Sequence, residues 1–187
     1  MTVPLIFLSL VVVILTAGIV IAETRPRRPK PIPPTWIDLD TLGEIESGNN
    51  PLAVSRAGAR GIYQITRPAW KDAIASIARD HPESAFAIAD YDQWVTDPTI
   101  SRSIAWEYVS RVIPRYLAAR RLTETDVTGP VPDSTDARLA AWNAGTMTVR
   151  RAYVKSPANW QAHLPFETRE FISRYHARLK VNTTPKG

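Results

Sequence analysis

A helical apolar stripe that stops on a carboxylate sets the first limit on this chain. Trp36, Ile37, Leu39, Leu42 and Ile45 recur at helical spacing, and Glu46 follows them. At about 100° per residue, Glu46 falls between Leu39 and Leu42 on the helix wheel, whereas Glu44 falls near Ile37 and reads as solvated. Thr35 is placed to cap this helix, and Gly48 and Pro51 to end it. Residues 46–70 read ESGNNPLAVSRAGARGIYQITRPAW. They are mostly small, polar or glycine until Pro68, which suits the first turn of a second helix through about Ala78. A carboxylic acid in an apolar wall loses the solvation of its charged form. Its pKa rises, and it can hold a proton near neutral pH, as a general acid for a glycosidic bond must. Position alone equally allows a helix-end Glu exposed to water.

The rest of the chain reads as helical, with little alternation of the strand kind. Residues 98–120 predict one long amphipathic helix bent at Pro114. Residues 134–144 and 146–153 predict shorter helices, and 168–180 a final one; 122–134 reads as a loop. A chain of 187 residues suits one domain with a real core. There is no cysteine, which excludes disulfides, thiolate chemistry and cysteine-based zinc sites. His81, His163 and His176 lack metal-ligand spacing, so neither a metal nor another cofactor is expected. The net charge is +5, of which residues 23–34 supply +3. A mildly basic domain suits an anionic polymer, but nothing in charge or motif supports nucleic acid as a partner.

Residues 2–22 carry no charge and are rich in Leu, Ile and Val. At about 1.5 Å per residue they reach about 30 Å, enough to cross a bilayer. A cleavable signal peptide is the alternative, with Val20, Ile21 and Ala22 as a tolerable site. The absence of Lys or Arg ahead of the segment, and its length, favour an uncleaved anchor. Arg25, Arg27, Arg28 and Lys30 follow the span, and the positive-inside rule would hold that side in the cytoplasm. A domain held on the opposite side instead implies an unusual setting, such as a virion membrane or a secretion machine. Residues 25–34 hold five prolines and read as an extended spacer within a linker at 23–34. The domain then covers 35–180, with a tail at 181–187.

Three motifs in order give a resemblance. The first is Glu46-Ser47, Asn50-Pro51, Ala53-Val54-Ser55, Gly58-Ala59-Arg60-Gly61 and Gln64. The second is Ala141-Trp142-Asn143-Ala144-Gly145, and the third is Pro165-Phe166-Glu167-Thr168-Arg169. Together they resemble the lytic transglycosylases of the soluble (SLT-like) bacterial type, relatives of goose-type lysozyme in the lysozyme-like superfamily. Asp97-Pro98 is a further, looser match. The likeness covers about residues 36–180.

The resemblance implies a mostly α, lysozyme-like single domain with a cleft, here behind an N-terminal transmembrane helix. It implies a glycan-cleaving lyase acting on peptidoglycan at the bond between N-acetylmuramic acid and N-acetylglucosamine. Glu46 would be the one acid and base. Ser55, Gly61, Ile62, Gln64, Trp142 and Asn143 would contact substrate, and Tyr63, Glu167 and Arg169 would support the site. A hydrolytic muramidase of the same fold, or a non-catalytic wall-binding part of a virion or secretion system, are the alternatives.

The chain departs from the family at two places. Trp142 stands where the family usually has Tyr, and Phe171 replaces a usual Tyr after the third motif. An indole can only donate a hydrogen bond, so a phenol is lost beside the acid. A muramidase needs a second carboxylate to orient water. Asp72, Asp90, Asp92 and Asp97 read instead as surface and cap acids. Arg120, Arg121, Arg150 and Arg151 read as solvated helix ends, and Trp94, Trp106 and Trp160 as core or rim.

Overall fold

Helix α1 runs Leu39–Ser47, and Asp38 caps it: its carboxylate accepts from the Thr41 N–H at 2.6 Å. Thr35, the cap expected from sequence, lies outside the described residues, which are 37–119, 130–131 and 133–183 of a computed structural model. The chain divides into two units, Met1–Pro31 and Ile32–Gly187, and every described residue belongs to the second. The proposed anchor, the linker, Trp36, Arg120 and Arg121 also fall outside the described residues. Among those described, no helix is long and apolar enough to cross a membrane.

Gly48 ends α1 at φ 64°, a left-handed turn that glycine adopts without a Cβ penalty. The loop that follows makes only the isolated bridges Val54–Arg60 and Arg60–Ile65. Helix α2, Arg67–Asp80, is capped by Thr66 and has Pro68 in its first turn, where a missing N–H costs nothing. Trp70, which closes the first motif run, is buried in the core, and its indole N–H donates to the Ala89 carbonyl at 2.8 Å. A short α3, Tyr91–Trp94, follows a 3-10 turn at Ala85–Ile88.

The expected long helix is two helices joined by a π turn. Helix α4 spans Pro98–Glu107, the π turn Tyr108–Val112, and α5 Ile113–Ala118. The Ile113 N–H reaches back five residues to the Tyr108 carbonyl. Pro114 has no N–H, and its ring would crowd the carbonyl four residues earlier; the wider turn accommodates both. Helices α6, Thr135–Ala144, and α7, Thr146–Lys155, match their expected ranges closely. A second 3-10 segment, Pro157–His163, leads to α8, Phe166–Thr183, which begins and ends beyond the range read from sequence.

The architecture is mostly α. Leu42 of α1, Ile104 of α4, Leu139 of α6, Val149 of α7, and Phe171 and Tyr175 of α8 meet in one core. Burying such side chains supplies roughly 1.5–3 kcal/mol each before the entropy of ordering is subtracted. Tyr175 also carries a polar tie. Its hydroxyl accepts the Asp38 N–H at 2.6 Å, across 137 residues of sequence.

Two charged side chains sit differently from their sequence reading. Glu44 is half-buried and ion-paired with Arg178 of α8, because α8 packs along α1. Arg150 is buried, and its Nη1 donates to the carbonyls of Tyr116 at 3.0 Å and Ala119 at 2.6 Å. It thereby satisfies the open C-terminal carbonyls of α5. Arg151 is exposed.

Candidate active site

Glu46 projects from the last turn of α1 into a cleft of about 490 Å³. The loop after α1 supplies Ser55, Ala59, Gln64 and Ile65, and Ala69 of α2 continues that side. Tyr108 of the π turn, Trp142 and Asn143 of α6, and Gly145 supply more of the lining. Glu46 is the one carboxylate among the described residues that line it.

The environment of Glu46 is set by three groups. Burial pushes its carboxyl up from 4.5 to about 7; the Trp142 hydrogen bond and the positive charge of Arg174 act against that rise. The Trp142 indole N–H donates to Glu46 Oε1 at 2.7 Å. The Trp142 ring in turn meets Tyr108 edge to face, with centroids 5.8 Å apart at 68°. This contact orients the indole and places a phenol in the cleft. Burial holds that phenol protonated, raising its pKa to about 12, with the charge of Asp72 adding to the effect. A carboxyl poised near neutrality, with one oxygen held by a fixed donor, can give a proton to a bound oxygen and later take one back.

The loop is built to hold its own backbone. The Ser55 N–H donates to the Ala59 carbonyl at 2.9 Å, and Ser55 Oγ accepts the Ala59 N–H at 3.0 Å. Gln64 has φ 46°, rare for a residue with a side chain, and its amide nitrogen donates to the Gly61 carbonyl at 2.9 Å. Ser47 explains the Ser of the first motif: its hydroxyl donates to the Ile62 carbonyl at 2.8 Å and accepts the Asn50 N–H at 3.0 Å. It fastens the loop to the helix that carries Glu46.

The residues named from sequence divide into two groups here. Glu46, Ser55, Gln64, Trp142 and Asn143 line one cleft. Gly61 does not face it: a Cβ there would sit 2.3 Å from the Val95 carbonyl oxygen, so the close approach is to the protein's own backbone. Ile62 packs against the core instead of lining the cleft. Tyr63 is buried, and its hydroxyl accepts from Arg102 at 3.2 Å. Glu167 and Arg169 are exposed on α8, while Thr168 between them is buried and donates to Asn143 Oδ1 at 2.9 Å. Successive helix residues point about 100° apart, so only one of the three can face α6. Thr168 is the support that sequence reasoning missed.

Tyr108 was missed for a related reason. Its one signal, an aromatic on the inner side of residues 98–120, resembles any core aromatic. The four aspartates stay outside the cleft. Asp90 and Asp97 cap α3 and α4, Asp92 pairs with Arg60 and Arg67, and Asp72 accepts from Tyr116 at 3.3 Å. Trp94, Trp106 and Trp160 are half-buried against the core. Among the described residues, no group of three His, Asp or Glu is placed to hold a metal ion.

A family model described as the transglycosylase SLT domain matches residues 39–163. No curated protein and no solved structure matches the chain.

Proposed function

From its membership of the transglycosylase SLT domain family, to which this chain belongs, we propose that it is a peptidoglycan lytic transglycosylase with Glu46 as its one acid and base. Glu46 Oε2, opposite the oxygen held by Trp142, protonates the oxygen bridging C1 of N-acetylmuramic acid and C4 of N-acetylglucosamine. The C1–O bond breaks, and the acetamido group of the muramic sugar stabilises the cation. The carboxylate, now charged, accepts the proton of that sugar's own C6 hydroxyl, whose oxygen closes on C1. The products are a 1,6-anhydromuramic end and a free C4 hydroxyl, and no water is consumed.

The observation that carries this reading is that Glu46 is the one carboxylate among the described residues lining the cleft. An inverting hydrolase needs a second one about 6.5–9.5 Å away to activate water, and a retaining one needs it at about 5–5.5 Å. A substrate-assisted route needs neither. The indole suits the charge cycle as well. It donates to the carboxylate when Glu46 is charged, and it carries no exchangeable acid proton into the reaction.

The uncharged segment at residues 2–22 supports a membrane-anchored placement with the domain facing the wall. Mass spectrometry of peptidoglycan digested by the full chain tests the reaction. Anhydromuramic ends are expected. Reducing muramic ends would make the protein a muramidase, and wall binding without cleavage would make it a binding module.

A further inference from the structure

Thr168 is 1 % exposed, between two exposed neighbours in the first turn of α8. A hydroxyl at that depth needs a partner, and it takes one on another helix: it donates to Asn143 Oδ1 of α6 at 2.9 Å. Asn143 is half-buried and lines the Glu46 cleft. Its oxygen is thus engaged by the protein, whereas its amide nitrogen has no acceptor among the described residues. A side-chain amide is planar and carries acceptor and donor at opposite ends, so fixing the oxygen fixes the nitrogen. Turned over, the amide would put its oxygen into the cleft that the Glu46 carboxylate also lines, oxygen facing carboxylate. Gln64 carries the reverse arrangement. Its nitrogen donates to the Gly61 carbonyl at 2.9 Å and the Ala53 carbonyl at 3.3 Å, and its oxygen is the end left over. These two amides of the cleft are therefore held at opposite polarity by bonds to the protein itself.

We propose that Thr168, which lines no part of the cleft, is a positioning residue: it makes Asn143 a hydrogen-bond donor toward the substrate and so selects a carbonyl or carboxylate oxygen of a sugar substituent at that wall. The assignment rests on the transglycosylase reading of the cleft in taking a glycan as its occupant. Asn143 follows Trp142, whose indole holds Glu46 Oε1, so one turn of α6 sets both the acid and this donor. Without the Thr168 hydroxyl the amide loses the bond that chooses between its two orientations. One of them offers the donor; the other turns an oxygen toward the oxygen of the substrate and must be reversed before binding. The cost falls on binding, and bond breaking stays with Glu46.

The test is a double-mutant cycle read by calorimetric binding to the full chain carrying Glu46→Gln, which removes cleavage from the measurement. The probe is a soluble tetrasaccharide of alternating N-acetylglucosamine and N-acetylmuramic acid. Thr168→Val keeps the β-branched shape and removes only the donor; it should weaken binding about fivefold to tenfold, the size of one hydrogen bond. Asn143→Ala should weaken it by at least as much, and adding Thr168→Val to Asn143→Ala should cost nothing more. Thr168→Ser, which restores the hydroxyl, should recover most of the affinity. A Thr168→Val loss that is undiminished in the Asn143→Ala background would show a merely structural residue and overturn the proposal, as would unchanged binding or no binding of the tetrasaccharide at all. Asn143→Asp decides the matter if Thr168→Val does not fold. It can still accept from Thr168 but offers the cleft an acceptor, so it should bind no better than Asn143→Ala; wild-type affinity overturns the proposal. Chitotetraose, which has acetamido groups and no lactyl carboxylates, locates the oxygen. The same coupling with it places the contact on an acetamido carbonyl, and coupling with the muramic probe alone places it on a lactyl carboxylate. Coupled losses support the role of Thr168 whether the unsubstituted protein forms anhydro ends, reducing ends or no product.

Discussion

Replacing Glu46 by Gln should stabilise the protein at alkaline pH and leave its stability in acid nearly unchanged. Burial lifts the Glu46 carboxyl from 4.5 to about 7, against the opposing pull of Trp142 and Arg174. In the unfolded chain the same group titrates at about 4.3. Between these values the folded form keeps a proton that the unfolded chain has released, so wild-type stability falls as pH rises through that window. At about 1.4 kcal/mol per pKa unit, the gap amounts to about 4 kcal/mol, fully present as a cost above pH 7 and absent below pH 4. Gln carries no charge at any pH, and its side-chain oxygen can still accept the Trp142 N–H. Urea unfolding at pH 4 and pH 8, at matched ionic strength, reads the difference directly. The variant should gain about 4 kcal/mol over wild type at pH 8, roughly 8–16 °C in Tm for a domain of this size, and almost nothing at pH 4. A difference that is the same at both pH values, or a variant less stable at pH 8, would refute the reasoning. It would mean that the carboxyl titrates as an ordinary surface Glu.

Two further substitutions probe what holds the acid and its loop. Trp142→Phe removes the donor to Glu46 Oε1, so the carboxyl should rise above its present value near 7 and the alkaline limb of kcat/KM should move to higher pH. Trp142→Tyr, which can donate again, should bring the limb back; pH–rate profiles on purified wall would show an unmoved limb if the indole did not act on the acid. Gly61→Ala drives a Cβ into the Val95 carbonyl oxygen at a backbone φ of 77°, and should cost about 2 kcal/mol or more in chemical unfolding. A near-neutral result would mean that the loop yields without strain.

Local signals carried much of the fold. The stripe from Ile37 to Ile45 and the stop at Gly48 fixed where α1 ends and which of its two late glutamates turns inward. Pro68 marked α2, and the shorter ranges around 134–144 and 146–153 emerged nearly intact as α6 and α7. What stayed hidden depends on contacts between distant segments. Thr35 and Asp38 are both good cap types, but it is Asp38 that caps the helix, and its own N–H is held by Tyr175 from the far end of the domain. Glu44 reads as solvated until α8 brings Arg178 to it. The amphipathic pattern of 98–120 suits a continuous helix, because a π turn shifts register without leaving a composition mark. The site followed the same division. The approximate place of Glu46 was legible from its stripe. That the indole of Trp142, 96 residues away, grips one of its oxygens was not, and neither was the choice of Thr168 over its two charged neighbours.

The tie between α1 and α8 has a consequence for how the domain comes apart. Asp38 and Thr41, at the start of α1, are bonded to Tyr175 and Asn182 of α8. The first and last described helices therefore close on each other, and neither can fray alone. Hydrogen exchange should find them opening together, as one cooperative unit, with the acid-bearing turn protected by a helix that contributes no residue to the cleft.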